Sequence, residues 1–161
     1  ESAAALFYVR AATLDDMRAL AKRVIACAEG AATATGCGLT VTEHDNAYEP
    51  MRRNDTLLDL FRANLRRFVA TESPEDKEHL GSSDVGNVSH VVPTIHPYVK
   101  IAPDGTPVHS RAFEAAAASP LAREGLLIAA KTMAMTALDL LASPEAVRRA
   151  REEFSRKGGA P

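Results

Sequence analysis

Apolar residues recur along this chain with two periods. Residues 6–9 (Leu-Phe-Tyr-Val) form a short apolar and aromatic run, as a strand would. Thr13 then stands where a helix N-cap belongs, with Asp15 and Asp16 in the first turn. Leu14, Met17, Leu20, Val24 and Cys27 follow at three- and four-residue steps, which predicts an amphipathic helix ending between Gly30 and Gly36. In residues 38–43 Leu39 and Val41 alternate with Thr40 and Thr42, the pattern of a half-buried strand. The opening third therefore reads as strand, helix, strand.

A connector holding Tyr48, Pro50 and Met51 leads to Asn54, a cap for a second helix with Leu57, Phe61, Leu65 and Phe68 on one face. Residues 71–78 are polar and read as an exposed loop. Residues 81–97 have no period and are rich in small, hydroxyl and amide side chains. Residues 98–101 are a strand candidate, and Pro103-Asp104-Gly105 marks a turn. Residues 121–141 are apolar nearly all round, which predicts a central helix packed on several sides. Ser143-Pro144-Glu145 opens a last helix with an apolar stripe of Val147, Ala150 and Phe154. The tail beyond Lys157 is expected to fray.

Composition narrows the field. Nearly half of the 161 residues are apolar, enough for a core, and the net charge of -2 gives no electrostatic case for nucleic acid or an anionic membrane. The longest apolar stretch is broken by Lys131 and Asp139, so it reads as a core helix and no membrane span is expected. Cys27 and Cys37 do not form a CxxC pair and are expected to be free, buried thiols of a reducing, cytoplasmic compartment. No signal peptide is visible, and the chain opens on Glu1 rather than Met, which points to a fragment or a processed product.

His90, His96 and His109 lie within twenty residues, and imidazole is a common zinc ligand. Their spacing matches neither HxH nor HxxxH, so each reads more readily as an ordinary polar loop or core residue with one hydrogen bond. Asp84, Asn87 and Ser89 could orient a substrate by hydrogen bonds, with Gly81 and Gly86 letting backbone approach a ligand. The same composition suits a tight, self-bonded loop. GxSxG, Walker A and GxGxxG motifs are absent.

Residues 81–93 (Gly-Ser-Ser-Asp-Val-Gly-Asn-Val-Ser-His-Val-Val-Pro) and Ile95-His96-Pro97 resemble a loop of the M20 amidohydrolases, in the subgroup of aminoacylase-1-like dipeptidases and aminobenzoyl-glutamate hydrolases. Residues 108–116, residues 130–141 and the Thr13 helix with Ala34 to Cys37 resemble further segments of that family, so the likeness covers nearly the whole chain. It implies an α/β fold in two pieces: residues 1–50 as the second half of a lid or dimerisation domain, and residues 51–161 as the C-terminal part of a zinc-peptidase-like catalytic domain. It implies hydrolysis of an amide bond in a dipeptide or N-acyl amino acid. Two divalent ions, zinc or else manganese or cobalt, polarise the carbonyl and activate water, with a Glu as general base. His109 matches the closing metal ligand, and Ser83, Asp84, Asn87, Ser89 and His96 match substrate-facing positions. A homodimer is implied for the complete enzyme.

The family's early HxD motif, bridging Asp and Glu pair have no counterpart here, so no catalytic residue is assigned within these residues. One His cannot hold a metal pair. Three expectations therefore stand: the C-terminal part of a dipeptidase, inactive alone; a non-catalytic dimerisation or interaction module; and a self-contained zinc protein built on His90, His96 and His109. Alone, the chain is expected to expose strand edges and apolar faces.

Overall fold

The computed structural model describes residues 2–43, 48–69 and 83–158. The expected loop at 71–78, Gly81, and the chain beyond 158 lie outside the described residues. Among the described residues six helices run in order: α1 Leu14–Thr35, α2 Asp55–Leu65, α3 Val85–Ser89, α4 Arg111–Ala117, α5 Pro120–Ala142 and α6 Pro144–Arg156. Helix makes up 58% of the described residues, and none of those residues belongs to a strand.

The α/β fold expected from the sequence, a strand-helix-strand lid joined to part of an α/β catalytic domain, is therefore wrong for this chain. Residues 6–9, 38–43 and 98–101 are unpaired, with Leu6, Phe7, Tyr8, Leu39, Val41 and Tyr98 exposed. Apolar alternation describes one face of a strand; it does not supply the neighbour whose N–H and C=O groups complete the ladder. Among the described residues the β-pairing is one isolated parallel bridge, Arg53 to Thr94.

The described chain divides into two compact units. The first takes the described residues of Glu1–Met51 and Lys77–Asn87. Its main element is α1, which starts where the cap predicts: Thr13 Oγ1 accepts the Asp16 N–H at 3.2 Å. It ends at Gly36, whose φ of 69° is left-handed, with the Cys37 N–H turned back to the Ala32 carbonyl at 3.0 Å. No residue of α1 is buried. Cys27 on α1 and Cys37 just beyond it, both expected buried, are free thiols exposed to solvent.

The second unit takes the described residues of Arg52–Asp76 and Val88–Pro161, so α3 begins in the first unit and ends in the second. Here α5 packs on α2, α4 and α6. Its buried residues are Ala122, Gly125, Thr132 and Thr136, spaced to fall on one side. Small residues in that stripe let the neighbouring backbone come close: a Cβ on Gly125 would sit 2.4 Å from the Lys100 carbonyl oxygen. Buried polarity is satisfied locally. Thr132 and Thr136 hydroxyls donate to Ile128 and Thr132 carbonyls, and Asn64 of α2 donates to Thr136 Oγ1 at 3.3 Å and Asp139 at 2.6 Å. The large residues Leu126, Leu127, Met133, Leu138 and Leu141 face outward. The expected packing on several sides is thus corrected to packing on one.

Helix α6 closes the unit by holding the start of α2. The Glu153 carboxylate accepts the Asp55 N–H at 2.7 Å, the Thr56 N–H at 2.8 Å and the Thr56 hydroxyl at 2.7 Å, while Lys157 Nζ donates to Glu153 at 2.7 Å and Asp55 at 2.9 Å. Asn54 caps α2 through its Oδ1 and donates from Nδ2 to the Ala150 carbonyl. The Arg52 guanidinium lies 5.1 Å over the Phe154 ring and donates to the Phe154 carbonyl. Burial pushes the Glu153 carboxyl up, but its hydrogen bonds from Lys157, the two backbone N–H groups and Thr56 outweigh that and hold it at about 2. The Lys157 hydrogen bond likewise lowers Asp55.

Two outcomes follow for stability. Both carboxyls are depressed by folding, so their contribution is complete above about pH 4.5 and is lost as pH falls toward about 2. Denaturant titrations across that window should show the loss, and Glu153→Gln should cost about 2 kcal/mol at pH 7 while flattening the acid dependence. Gly125→Ala should cost about 1–3 kcal/mol by forcing α5 off the Lys100 backbone, read as a lower denaturation midpoint.

Candidate functional site

The unpatterned segment 83–97 is ordered mainly by its own side chains. In the first unit, Ser83 Oγ accepts the Val85 N–H at 3.2 Å and Ser83 O accepts the Gly86 N–H at 3.0 Å, which starts the single turn of α3. Asp84 is exposed and accepts from the Ser83 hydroxyl. Gly86 is buried, and a Cβ there would lie 1.8 Å from the Glu49 carbonyl oxygen. Asn87 Oδ1 accepts the Glu49 N–H at 3.1 Å. Gly86 and Asn87 thus seat the connector that carries Glu49. The close backbone approach that glycine permits at 86 is to this chain's own carbonyl.

In the second unit, Ser89 is fully buried, at 0% exposure, and its hydroxyl oxygen accepts the Arg52 N–H at 2.8 Å. Val91 and Val92 N–H groups turn back to the Val88 carbonyl, and Thr94 O accepts the Asn54 N–H at 3.1 Å, just ahead of α2. His90 is half-buried. His96 is exposed, with its ring 5.3 Å from that of Tyr98. The hydroxyl, amide and glycine content of the segment is therefore spent largely on holding residues 49–54 in place, while Asp84 and His96 point to solvent.

His109 follows the Gly105 turn and precedes α4. Ser110 caps that helix, accepting the Phe113 N–H at 3.1 Å and donating to the Pro107 carbonyl at 2.7 Å. His109 is the one non-glycine among the described residues with positive φ, at 60°, and its ring is exposed. That conformation costs a residue with a Cβ about 1–2 kcal/mol, and histidine is among the side chains that tolerate it best. The strain was not visible in the sequence. The Pro107-Val-His-Ser order only marked a turn running into a cap.

Among the described residues no group of three His, Cys, Asp or Glu side chains is arranged to hold a metal. His90, His96 and His109 do not form one, so the self-contained three-histidine zinc site finds no support. What these residues supply toward a metal is one exposed imidazole on a fixed turn. That donor set does not fit a metal pair without further ligands.

Ser89→Ala should leave the Arg52 N–H unpaired in a buried place and cost about 1–2 kcal/mol. Asp84→Asn, at an exposed position, should stay within about 0.5 kcal/mol. Urea denaturation of the two variants checks the pair.

Comparison with known proteins adds a relationship that the geometry alone does not give. No family model matches the chain. It is 35% identical over 155 residues to the Xaa-Arg dipeptidase of Mus musculus, covering 94% of this chain and 36% of the mouse protein. It is 34% identical to the Xaa-Arg dipeptidase of Homo sapiens over the same number of residues, 94% of this chain and 35% of the human protein. The chain is thus similar, nearly end to end, to a portion of dipeptidases and spans about a third of the length of the curated relatives it matches.

Proposed function

We propose that this chain is the C-terminal part of a metal-dependent dipeptidase of the M20 type, hydrolysing the amide bond of a dipeptide or N-acyl amino acid. The observation that carries the reading is the similarity to Xaa-Arg dipeptidases over 94% of the chain. It is supported by His109, a histidine in a strained left-handed conformation at the head of a capped helix, where the resemblance to the M20 family expects a metal ligand. In this reading His109 gives one ligand, and the others come from polypeptide equivalent to the rest of the relatives. The metal pair, zinc or else manganese or cobalt, supplies carbonyl polarisation and water activation once bound. Ser83, Asp84 and His96 are the substrate-facing candidates, while Asn87 and Ser89 act chiefly by fixing the backbone beside them. A dipeptide ending in arginine is the first substrate to test.

The test uses a chimera in which this chain replaces the segment it matches in the mouse dipeptidase. His109→Asn keeps a residue at ease in the left-handed region and removes the imidazole. Zinc content should fall from two ions per chain to one or fewer and dipeptide hydrolysis by at least about 100-fold, with an unchanged circular dichroism spectrum. His96→Ala should leave zinc content unchanged. A chimera that loses zinc through His96 and not through His109 overturns the assignment, and one that pairs subunits without binding metal favours a non-catalytic interaction module.

A further inference from the structure

Helix α5 is built inside out for a helix of an isolated chain. Its small residues face α2, α4 and α6, and its large ones face away. At 3.6 residues per turn, Leu126, Leu127, Met133, Leu138 and Leu141 share one arc with Ala130, Ala134 and Ala137. From Leu126 to Leu141 that arc holds no charged residue: Lys131 lies at its edge, with Nζ 5.7 Å from the Phe68 ring centroid, and Asp139 lies on the packed side with Asn64. Leu126 is 66% exposed, Leu138 63% and Leu141 82%. An apolar surface of this kind, continuous over four turns, marks an interaction site.

We propose that this outer face of α5 docks against polypeptide equivalent to the two thirds of the dipeptidase relatives that this chain does not match. The inference rests on the reading of the chain as part of a longer enzyme. The curated relatives are nearly three times as long as their matched portion, which supplies the material to cover the face. The arc has no charge, so the partner presents a desolvated apolar layer and not an ion-pairing surface. The alanines at its centre let a partner backbone approach closely, with leucines closing over it at both ends. By length and apolarity α5 could also cross a bilayer, but its other face is bound through Asn64, Thr136 and Asp139 to α2, which would carry those polar groups into hydrocarbon.

Co-expression of the whole chain with the unmatched part of the mouse dipeptidase tests this. A one-to-one complex is expected on size-exclusion chromatography with light scattering. The double substitution Leu127→Glu with Leu138→Glu should weaken it at least 100-fold and leave the circular dichroism of the chain alone unchanged, since both side chains are exposed there. Absence of a complex, or one indifferent to the substitutions, overturns the proposal. So does a homodimer of the chain that the same pair dissolves, or sedimentation of the chain alone with phosphatidylcholine vesicles. Zinc content of the complex is read separately: a complex without zinc would sink the proposed function and leave this interface standing.

Discussion

The second unit depends on one carboxylate. Glu153 projects from α6 onto the first N–H groups of α2, the groups that a helix leaves without partners of its own. Placing a negative charge there satisfies two donors and suits the positive end of the helix. Lys157, one turn on, keeps that charge from being stranded. Asn54 and Arg52 then reach back to the Ala150 and Phe154 carbonyls, so the segment before α2 is fastened to the end of the chain by polar contacts at each step. With α2 anchored in this way, α5 can lie across it through small side chains, held there by the Asn64 bonds to Thr136 and Asp139.

The four longer helices were legible because their signals are local, whereas the short α3 and α4 had no period to announce them. Thr13, Asn54 and Ser143 each accept the N–H three residues on, and these bonds depend on a few adjacent residues. The same holds for the Gly36 and Gly105 turns. The extended segments were misread because a strand is a property of two segments. Leu39 and Val41 carry the right alternation, but no amount of alternation specifies who sits alongside. In α5 the composition was read correctly and the direction was not: apolar residues all round do not say which side is packed, and here the tight side is marked by Gly125, Thr132 and Thr136 rather than by leucine.

The candidate site was legible in part. Segment 81–97 stood out by composition, and composition suited substrate binding and self-bonding alike. The structure shows how the self-bonding is done: Ser89 on Arg52, Asn87 on Glu49, Gly86 under the Glu49 carbonyl. These contacts span 37 or 38 residues, and no local pattern announces them. The strain at His109 was equally hidden, because a left-handed histidine looks like any other in a sequence. The clamp at Glu153, nearly a hundred residues from its partners, gave no signal beyond one acidic residue among several.

The outward leucines of α5 bear on the calorimetry of this chain. The heat capacity of unfolding comes from apolar surface newly wetted, about 12–15 cal/mol/K per residue in an ordinary domain. Here much of that surface, on α5 and along residues 6–8, is wet before unfolding begins. The chain therefore unfolds with a small heat-capacity increment for its length. Its stability curve is shallow and broad, and cooling weakens it less than it weakens a domain whose leucines are inside.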